Sequence, residues 1–487
     1  MSFELNLFLR KKRESTGEFT LMVAVPPAET QAQPLPRSRI DSDVLLLDAH
    51  TLKDLEIFGS EKGETCLFEF CNLSRTAGGA RVLRRRMEHP WSNAARIRAT
   101  QESLSFILAQ RQAFTKLPSA YTVSRVERYA HEVLPIVIHE NLLAFSFDAF
   151  SLWATHDRHY MSIVLGVHFT GGLIRSLRCF VEQVELASPV GELAPLIEEM
   201  RTLLAHARLS QVLGRKVGRW PWRILRIDQV FRLHEKEAMA RLLQLIFEID
   251  ALVAMADVTS KNGFILPRVE EGSLRVHAEG LVHPFVKNAV ANPVELNQER
   301  RLLFLTGPNM AGKTTYLRAF ATALYLAHLG MGVPASNFRF VPAQRLFSSI
   351  SLNDDLSGGV SYFRAEALRV KAVAKAVADG YRVVAIMDEP FKGTNVKDAF
   401  EASLAIMERF ATREDCLFMF SSHLIELSEQ LSVSGQIDCR YFDAEEREER
   451  LRFDYLLRQG VSSQRLGMRV LREEGIFELL DGSPMGE

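Results

Sequence analysis

A glycine-rich loop between an apolar run and a helical pattern most constrains how this chain folds. Residues 302–305 are apolar, the loop follows at residues 307–314, and residues 316–329 carry apolar side chains at helical spacing. Gly307 and Gly312 let the backbone curl around anionic oxygens, and the start of the helix adds partial positive charge. This order is typical of a strand, a phosphate-binding loop and a helix, and it predicts a nucleoside triphosphate site.

The side chains of the loop have expected roles in that site. Lys313 would reach the β- and γ-phosphates of ATP, and the Thr314 hydroxyl would bind Mg²⁺. The nucleotide-contacting residues that we predict are Gly307, Pro308, Asn309, Met310, Ala311, Gly312, Lys313, Thr314 and Thr315. The alternative is a chance occurrence of this spacing in a surface loop, and the motifs that follow argue against it.

A second apolar run ends in two carboxylates. Val383 to Met387 is typical of a buried parallel strand, and Asp388 and Glu389 follow it directly. Because α/β sheets place ligands at the carboxyl ends of their strands, Asp388 would hold Mg²⁺ alongside Thr314. Glu389 would orient or deprotonate the attacking water. The alternative is a strand that ends in solvent with two acids.

Two further segments extend the predicted site. Residues 353–363 are rich in Gly, Ser and Asp and lead into a helix that carries Glu366 and Arg369. Such a helix start is a second anion site, which would complete the nucleotide pocket of a neighbouring subunit, or else it is a capped turn. His423 follows the apolar run 417–420 and would sense the γ-phosphate or the attacking water, unless it is only a polar loop residue.

Composition is that of an ordinary soluble protein. The 487 residues are too many for one compact core, and hydrophobic residues make up 47% of them. The formal net charge of -1 neither demands nor excludes nucleic acid. The five scattered cysteines suit a reducing cytosol. No run approaches the eighteen or so apolar residues of a membrane helix, so we expect a cytoplasmic protein without membrane contact.

The pattern of the sequence changes along the chain. Residues 1–42 are typical of a tail and a proline-containing linker. Residues 43–263 are dominated by helical periodicity, clearest at 94–113 and 229–260. Residues 264–487 alternate short β-rich runs with helices, as expected of an α/β ATPase domain. Strands are predicted at residues 264–266, 302–305, 383–387 and 417–420.

These motifs resemble those of the MutS family, the ATPases of DNA mismatch repair and recombination. The loop in its form Thr306-Gly307-Pro308-Asn309-Met310 is characteristic, because most phosphate loops lack Pro-Asn-Met. The segment 354–366, the pair Asp388-Glu389 and the pair Ser422-His423 match the family in order and spacing. Weaker similarity to the family's core domain and dimerisation segment lies at residues 47–56, 75–85 and 455–476.

The resemblance implies an ABC-type P-loop ATPase domain joined to an all-α core and lever domain, working as a homodimer. ATP and Mg²⁺ are the implied cofactors, with Glu389 and His423 as catalytic residues and Ser361 reaching the partner subunit's nucleotide. The implied role is in DNA repair or recombination, and the implied partners are DNA and a downstream repair protein.

Several positions depart from the family pattern. Only residues 1–42 precede the part that resembles the core, so we expect no mismatch-reading domain, a reduced or absent clamp, and no reading of mismatches by this chain alone. Phe68-Glu69-Phe70 has the letters of the family's mismatch wedge but lies inside the core segment, so we interpret it as packing. Ala311 replaces a usual glycine. Pro390-Phe391 replaces the usual Ile-Gly after Glu389, and we expect it to reshape the loop that holds the attacking water.

The most basic stretch, residues 214–226, interleaves two tryptophans with cations. Cations would pair with phosphates and an indole would stack on an exposed base. The DNA contacts that we predict are Arg215, Lys216, Arg219, Trp220 and Arg223. The alternative is a basic loop whose tryptophans pack on a neighbouring helix. The arginines of residues 81–86 are interpreted as a solvated helix face.

Two other functions stay open at this point. Leu356-Ser357-Gly358-Gly359 resembles the signature of the wider ABC class, so the first alternative is another ABC-type or SMC-like ATPase. The absence of long heptad repeats from the sequence argues against it. The second alternative is a nucleotide-gated protein-interaction module without DNA binding, in which Pro390-Phe391 impairs hydrolysis.

Overall fold

The computed structural model describes residues 43–60, 63, 65–138, 141–155, 157–213, 220–308, 310–350, 362–431, 435–447, 450–461 and 476–480. All of them belong to one compact unit, Ser42–Glu487. The tail and linker predicted at residues 1–42 lie outside the described residues. The division of the remainder at residue 263 stays a prediction, although the last helix of the helical part ends at Lys261.

The first part of the described chain is helical. Its α-helices are α1 (Ala49–Asp54), α2 (Leu67–Cys71), α3 (Ala77–Glu88), α4 (Ala94–Ala109), α5 (Arg111–Phe114), α6 (Ala120–His131), α7 (Leu142–Thr155), α8 (Asp157–Leu186), α9 (Leu193–Leu204), α10 (Ala207–Leu213), α11 (Pro221–Gln229) and α12 (Lys236–Lys261). Helix α12 is buried along most of its length and packs against α3, α4 and α9. Its Asp250 accepts hydrogen bonds from the Thr76 backbone N–H and hydroxyl at 2.9 and 2.7 Å, which fixes the start of α3.

The two long helices predicted in this part are each divided. The helix predicted at 229–260 begins later, at Lys236, after α11 and a π-helical turn at Val230–His234. Arg232 of that turn donates to both Asp228 oxygens and to the carbonyl oxygens of Leu134 and Pro135, so tertiary hydrogen bonds favour the wider turn. The helix predicted at 94–113 ends at Ala109, and α5 follows it.

One described helix is long and apolar enough to cross a membrane by length and composition, Arg158–Leu186 within α8. The search for an uninterrupted apolar run did not single out this helix, because His168, Thr170 and Arg175 lie among its apolar residues. Half of its most apolar window is buried, and α8 packs against α6, α9 and α11, as expected for a core helix.

The second part of the described chain is built on two sheets. The strands are β1 (Arg268–Val269), β2 (Val276–Leu281), β3 (Asn292–Leu296), β4 (Leu302–Thr306), β5 (Asn337–Phe340), β6 (Arg345–Ser349), β7 (Val383–Asp388), β8 (Cys416–Ser421), β9 (Ile437–Arg447) and β10 (Arg450–Gln459). The helices are α13 (Lys313–His328), α14 (Tyr362–Ala378), α15 (Val396–Ala411), α16 (Glu426–Leu431) and α17 (Ile476–Leu480). One sheet has the order β1-β5-β2-β3 and the other β10-β9-β4-β8-β7-β6.

The larger sheet carries the site. Strands β6, β7, β8, β4 and β9 run parallel, so their carboxyl ends meet at one edge, and β10 pairs antiparallel with β9. The strands predicted at 302–305, 383–387 and 417–420 are confirmed as β4, β7 and β8, each with a continuous buried run. The strand predicted at 264–266 is wrong: Ile265 forms only an isolated bridge, and Pro267 brings no N–H to a ladder.

Candidate functional site

The loop after β4 curls sharply at its glycines. Gly307 has φ +137° and Gly312 has φ +102°. A Cβ on Gly307 would lie 2.7 Å from the Phe442 carbonyl oxygen, so this position requires glycine on steric grounds as well. Ala311 is fully buried and does not adopt a positive φ, which explains why a methyl group is accommodated there. Asn309 lies outside the described residues.

Lys313 begins α13 and turns back over the loop. Its Nζ donates to the carbonyl oxygens of Gly307 at 2.7 Å and Pro308 at 3.2 Å. Burial lowers the pKa of this amine, while Glu389, 3.8 Å away, and Asp388 favour its charged form. A phosphate oxygen would compete with two neutral carbonyl oxygens for this cation, and the helix start next to it adds positive charge.

The two residues predicted to hold Mg²⁺ are brought together. The Thr314 hydroxyl donates to Asp388 Oδ2 at 2.6 Å, and the Ser421 hydroxyl donates to Asp388 Oδ1. A hydroxyl and a carboxylate are hard oxygen ligands of the kind that Mg²⁺ prefers, and Mg²⁺ commonly uses one or two carboxylates together with nucleotide phosphates. No group of three or more His, Cys, Asp or Glu side chains suited to a metal occurs among the described residues. The single carboxylate here fits an ion that is shared with a nucleotide.

Glu389 is held on both carboxylate oxygens. His423 Nε2 contacts Oε1, and Lys392 Nζ lies 2.5 Å from Oε2. Burial alone would raise the pKa of Glu389, but the hydrogen bonds from His423 and Lys392 outweigh it and lower the pKa to about 2. A carboxylate with so low a pKa is a weak proton acceptor. In this arrangement Glu389 is suited to orienting a water, and deprotonating one requires His423 or Lys392 to move away from it.

The backbone around Glu389 is unusual. Glu389 and Phe391 both have positive φ, +50° and +69°, a conformation that costs free energy in residues with a side chain. The Glu389 N–H donates to the Ser421 carbonyl oxygen at 3.0 Å. Phe391 is buried against Phe363, with ring centroids 5.7 Å apart. The Pro390-Phe391 pair that departs from the family pattern is thus part of a packed turn.

A cavity of about 510 Å³ opens beside the phosphate loop. It is lined by Val282, His283, Val286, Val290, Thr315, Phe442, Tyr455 and residues of the loop itself. Tyr455 lies in a β-bulge of β10 with φ +56°, and bulges redirect side chains. Asn292 fixes the bulge, because its amide donates to the Tyr455 carbonyl oxygen at 2.9 Å and accepts from the Leu457 N–H at 2.8 Å.

The sequence did not identify this cavity. Its walls come from the loop before β3, from β9 and from the bulge in the middle of β10, which are far apart in the chain. The pairing of Tyr455 with Asn292 was also missed, because only the bulge brings them together.

The remaining predicted residues have different outcomes. Ser361, Arg215, Lys216 and Arg219 lie outside the described residues. Trp220 is 67% exposed and precedes α11, and the Arg223 guanidinium stacks over Trp222 at 5.2 Å.

Two interpretations of the helical part are also resolved. Phe68 and Phe70 on α2 pack against the core, which agrees with a packing role. Within the arginine cluster, Arg86 forms a half-buried bidentate pair with Glu192 at 2.8 and 3.0 Å, so the solvated-face interpretation is wrong for that residue. Nothing in the sequence indicated this pair, because Glu192 lies more than one hundred positions from Arg86 in the chain.

A parallel sheet with a glycine-rich loop, a lysine and a threonine–carboxylate pair at its carboxyl edge defines the class of nucleotide-binding α/β proteins. Residues 303–479 match the family model of MutS domain V, a P-loop ATPase domain. Residues 303–479 therefore form a domain of the MutS family. The match covers the sheet edge described above and leaves the helical part outside it. Members of this family bind and hydrolyse ATP, bind DNA and form dimers.

Proposed function

We propose that this chain is a Mg²⁺-dependent ATPase of the ABC type that acts in DNA repair or recombination. ATP binding would close a homodimer and hydrolysis would reopen it, with the helical part serving as core and lever. The observation that carries the proposal is the 2.6 Å contact between Thr314 and Asp388 directly beside the phosphate loop. The contact joins one oxygen ligand from the start of α13 and one from the end of β7, at the place where β- and γ-phosphates would lie.

In this proposal the nucleotide spans two neighbouring regions of the site. Lys313 and the loop N–H groups would bind the phosphates, and Thr314 and Asp388 would hold the Mg²⁺ that offsets their charge. The base would enter the cavity next to the loop, where Tyr455 offers an aromatic face. Glu389 would orient the attacking water, with His423 beside it. Ser361 would come from the partner subunit.

The proposed DNA contacts are the basic and aromatic residues around the start of α11. Trp220 is exposed there and Arg223 belongs to the same short helix, which supports a surface for phosphates and an unpaired base.

The test measures ATP hydrolysis and DNA binding on the same preparation, across a salt titration, with homoduplex, mismatched, single-stranded and branched DNA. We expect Mg²⁺-dependent turnover, and one DNA structure bound more tightly with a steep salt dependence. Lys313→Ala should weaken nucleotide binding at least about 100-fold, because it removes the cation of the loop. Unchanged affinity in that variant would refute the assigned site.

One observation favours a second function, a nucleotide-gated interaction module with little hydrolysis. Glu389 is clamped by His423 and Lys392, and the strained turn behind it is packed. ATP-driven dimerisation without measurable turnover and without DNA binding would select this alternative. A Ser361→Ala defect that is rescued in mixed dimers would support the shared site in either case.

A further inference from the structure

Helix α14 carries two buried charged residues one turn apart, Glu366 and Arg369, which are 2% and 8% exposed. Charged side chains are rarely so buried unless each is paired and hydrogen-bonded. Their partners lie in different parts of the molecule. Glu366 contacts the turn behind Glu389, and Arg369 contacts the first helix of the helical part.

Glu366 binds the backbone of the turn that follows Glu389. Its two oxygens accept hydrogen bonds from the N–H groups of Lys392 at 3.1 Å and Gly393 at 3.3 Å. Lys392 is also the residue whose amine holds Glu389 Oε2. The position of Glu366 therefore sets where the backbone of Lys392 lies, and through it the orientation of Glu389.

Arg369 binds α1 and the strand next to β7 at the same time. Its guanidinium pairs with Asp48, donates to the Thr51 hydroxyl at 2.7 Å, and donates to the Ser348 carbonyl oxygen at 2.6 Å. Asp48 is the N-cap of α1 and accepts from the Thr51 N–H at 2.8 Å. Helices α1 and α14 are thus joined by a half-buried ion pair.

We propose that Arg369 and Glu366 are positioning residues, which link the helical part to the turn that orients Glu389. In the ATPase proposed above, a shift of α1 would move α14, and α14 would move the Lys392 backbone that sets the ion pair on Glu389. The inference rests on the proposed function only for its kinetic consequence. The mechanical link is defined by the hydrogen bonds themselves.

The deciding variant is Asp48→Asn, because it lies in the helical part and touches no residue of the nucleotide site. Asparagine is as good an N-cap as aspartate, so α1 keeps its cap, while the negative charge and the second acceptor oxygen that hold Arg369 are lost. We expect amide hydrogen exchange at Lys392 and Gly393 to accelerate about tenfold. We expect kcat for ATP to fall about tenfold while the Kd for nucleotide changes less than about twofold.

Arg369→Met and the double variant with Asp48→Asn complete a cycle. Residues that act as one unit show non-additive effects, so the double variant should be no slower than Arg369→Met alone. Arg369→Lys retains a buried cation, so its turnover and exchange rates should lie between those of wild type and Arg369→Met. It replaces Arg369→Met in the cycle if the Met variant does not fold. The matched control is Lys371→Met, which removes an exposed cation from the same helix and should change neither exchange nor turnover.

The exchange measurement separates this inference from the ATPase proposal, because it needs no hydrolysis. Unchanged exchange at Lys392 and Gly393 in Asp48→Asn would overturn the link, whatever the turnover. Additive kinetic losses in the cycle, or parallel losses in nucleotide affinity and kcat, would also overturn it, since they indicate general destabilisation. If the wild-type chain shows no ATP turnover, the proposed function is contradicted. The exchange rates at Lys392 and Gly393 still decide whether the link exists.

Discussion

The edge of the larger sheet and the outer face of α7 present opposite kinds of surface. At the sheet edge, Lys313, Asp388 and Glu389 each have several charged or hydrogen-bonding partners that hold their polar atoms in place. On α7, Phe147 and Phe150 are 72% and 57% exposed. The sheet edge therefore presents polar groups with fixed directions. The outer face of α7 is apolar and has few polar groups that could orient a ligand.

The difference teaches which part of the fold carries chemistry. Fixed polar groups select one ligand geometry, because each donor and acceptor already has a defined direction. An apolar face contributes area without direction, and such faces mark contacts with other surfaces. We therefore place the reaction at the sheet edge, and the predictions below test each side of the comparison.

The largest expected effect is on turnover in Glu389→Gln. The amide keeps the shape of the side chain and loses the negative charge, so kcat for ATP should fall about 1000-fold while nucleotide binding persists. The measurement is single-turnover hydrolysis with nucleotide affinity determined in parallel. Wild-type turnover in this variant would remove Glu389 from the role of orienting or activating the water.

Two phenylalanines on α7 test the helical side of the comparison. Phe145 is fully buried beneath the Arg226 guanidinium, whose carbon lies 4.6 Å from the ring centre. Phe145→Ala should lower the free energy of unfolding by about 3–5 kcal/mol. Phe147→Ala, two positions away on the exposed face, should change it by less than about 0.5 kcal/mol. Urea unfolding followed by circular dichroism measures both, and equal losses would mean that the outer face of α7 is covered.

The low pKa of Glu389 predicts an acid-dependent stability. Its pKa is about 2 in the folded chain and near 4.5 when unperturbed, so the group binds protons more readily in the unfolded state. The resulting stabilisation is present above pH 4.5 and is lost as the pH falls towards 2, with a total on the order of 3 kcal/mol. Wild type should therefore lose more stability between pH 5 and 3 than Glu389→Gln does. Parallel pH curves for the two proteins would show that the clamp on Glu389 is absent in solution.

The sequence predicted the elements that depend on a local pattern of residues. It did not predict features that depend on contacts between residues far apart in the chain. Continuous apolar runs predicted β4, β7 and β8, because buried parallel strands need no polar face. The helical period runs unbroken through residues 230–234, so nothing local indicates the π-helical turn that Arg232 stabilises by binding the Leu134 carbonyl oxygen. Likewise, Tyr455 lines the cavity because of a bulge in β10, and this bulge is stabilised by Asn292 from another strand.

A smaller effect is expected at the wall of the cavity. Tyr455→Ala removes the aromatic face on which a base would stack, and it should raise the Kd for ATP about tenfold. Tyr455→Phe keeps the ring and should bind ATP nearly as well as wild type does. Equilibrium binding of a fluorescent ATP analogue, competed with unlabelled ATP, measures both variants. Equal affinity in Tyr455→Ala would place the base elsewhere.

The smallest expected effect concerns DNA at the start of α11, where the helical part does offer directed cations. Arg223→Gln should weaken DNA binding only a few-fold, similarly for all sequences, and should reduce the slope of log affinity against log salt by about 1, because one phosphate contact is lost. Trp220→Ala should weaken binding to single-stranded or branched DNA more than to duplex, since stacking requires an unpaired base. The control is Arg208→Gln, another exposed arginine of the helical part, outside the predicted DNA contacts. If Arg223→Gln leaves the salt dependence of DNA binding unchanged, Arg223 contacts no phosphate and the DNA-binding surface lies away from α11. The assignment of the nucleotide site to the sheet edge would be unaffected.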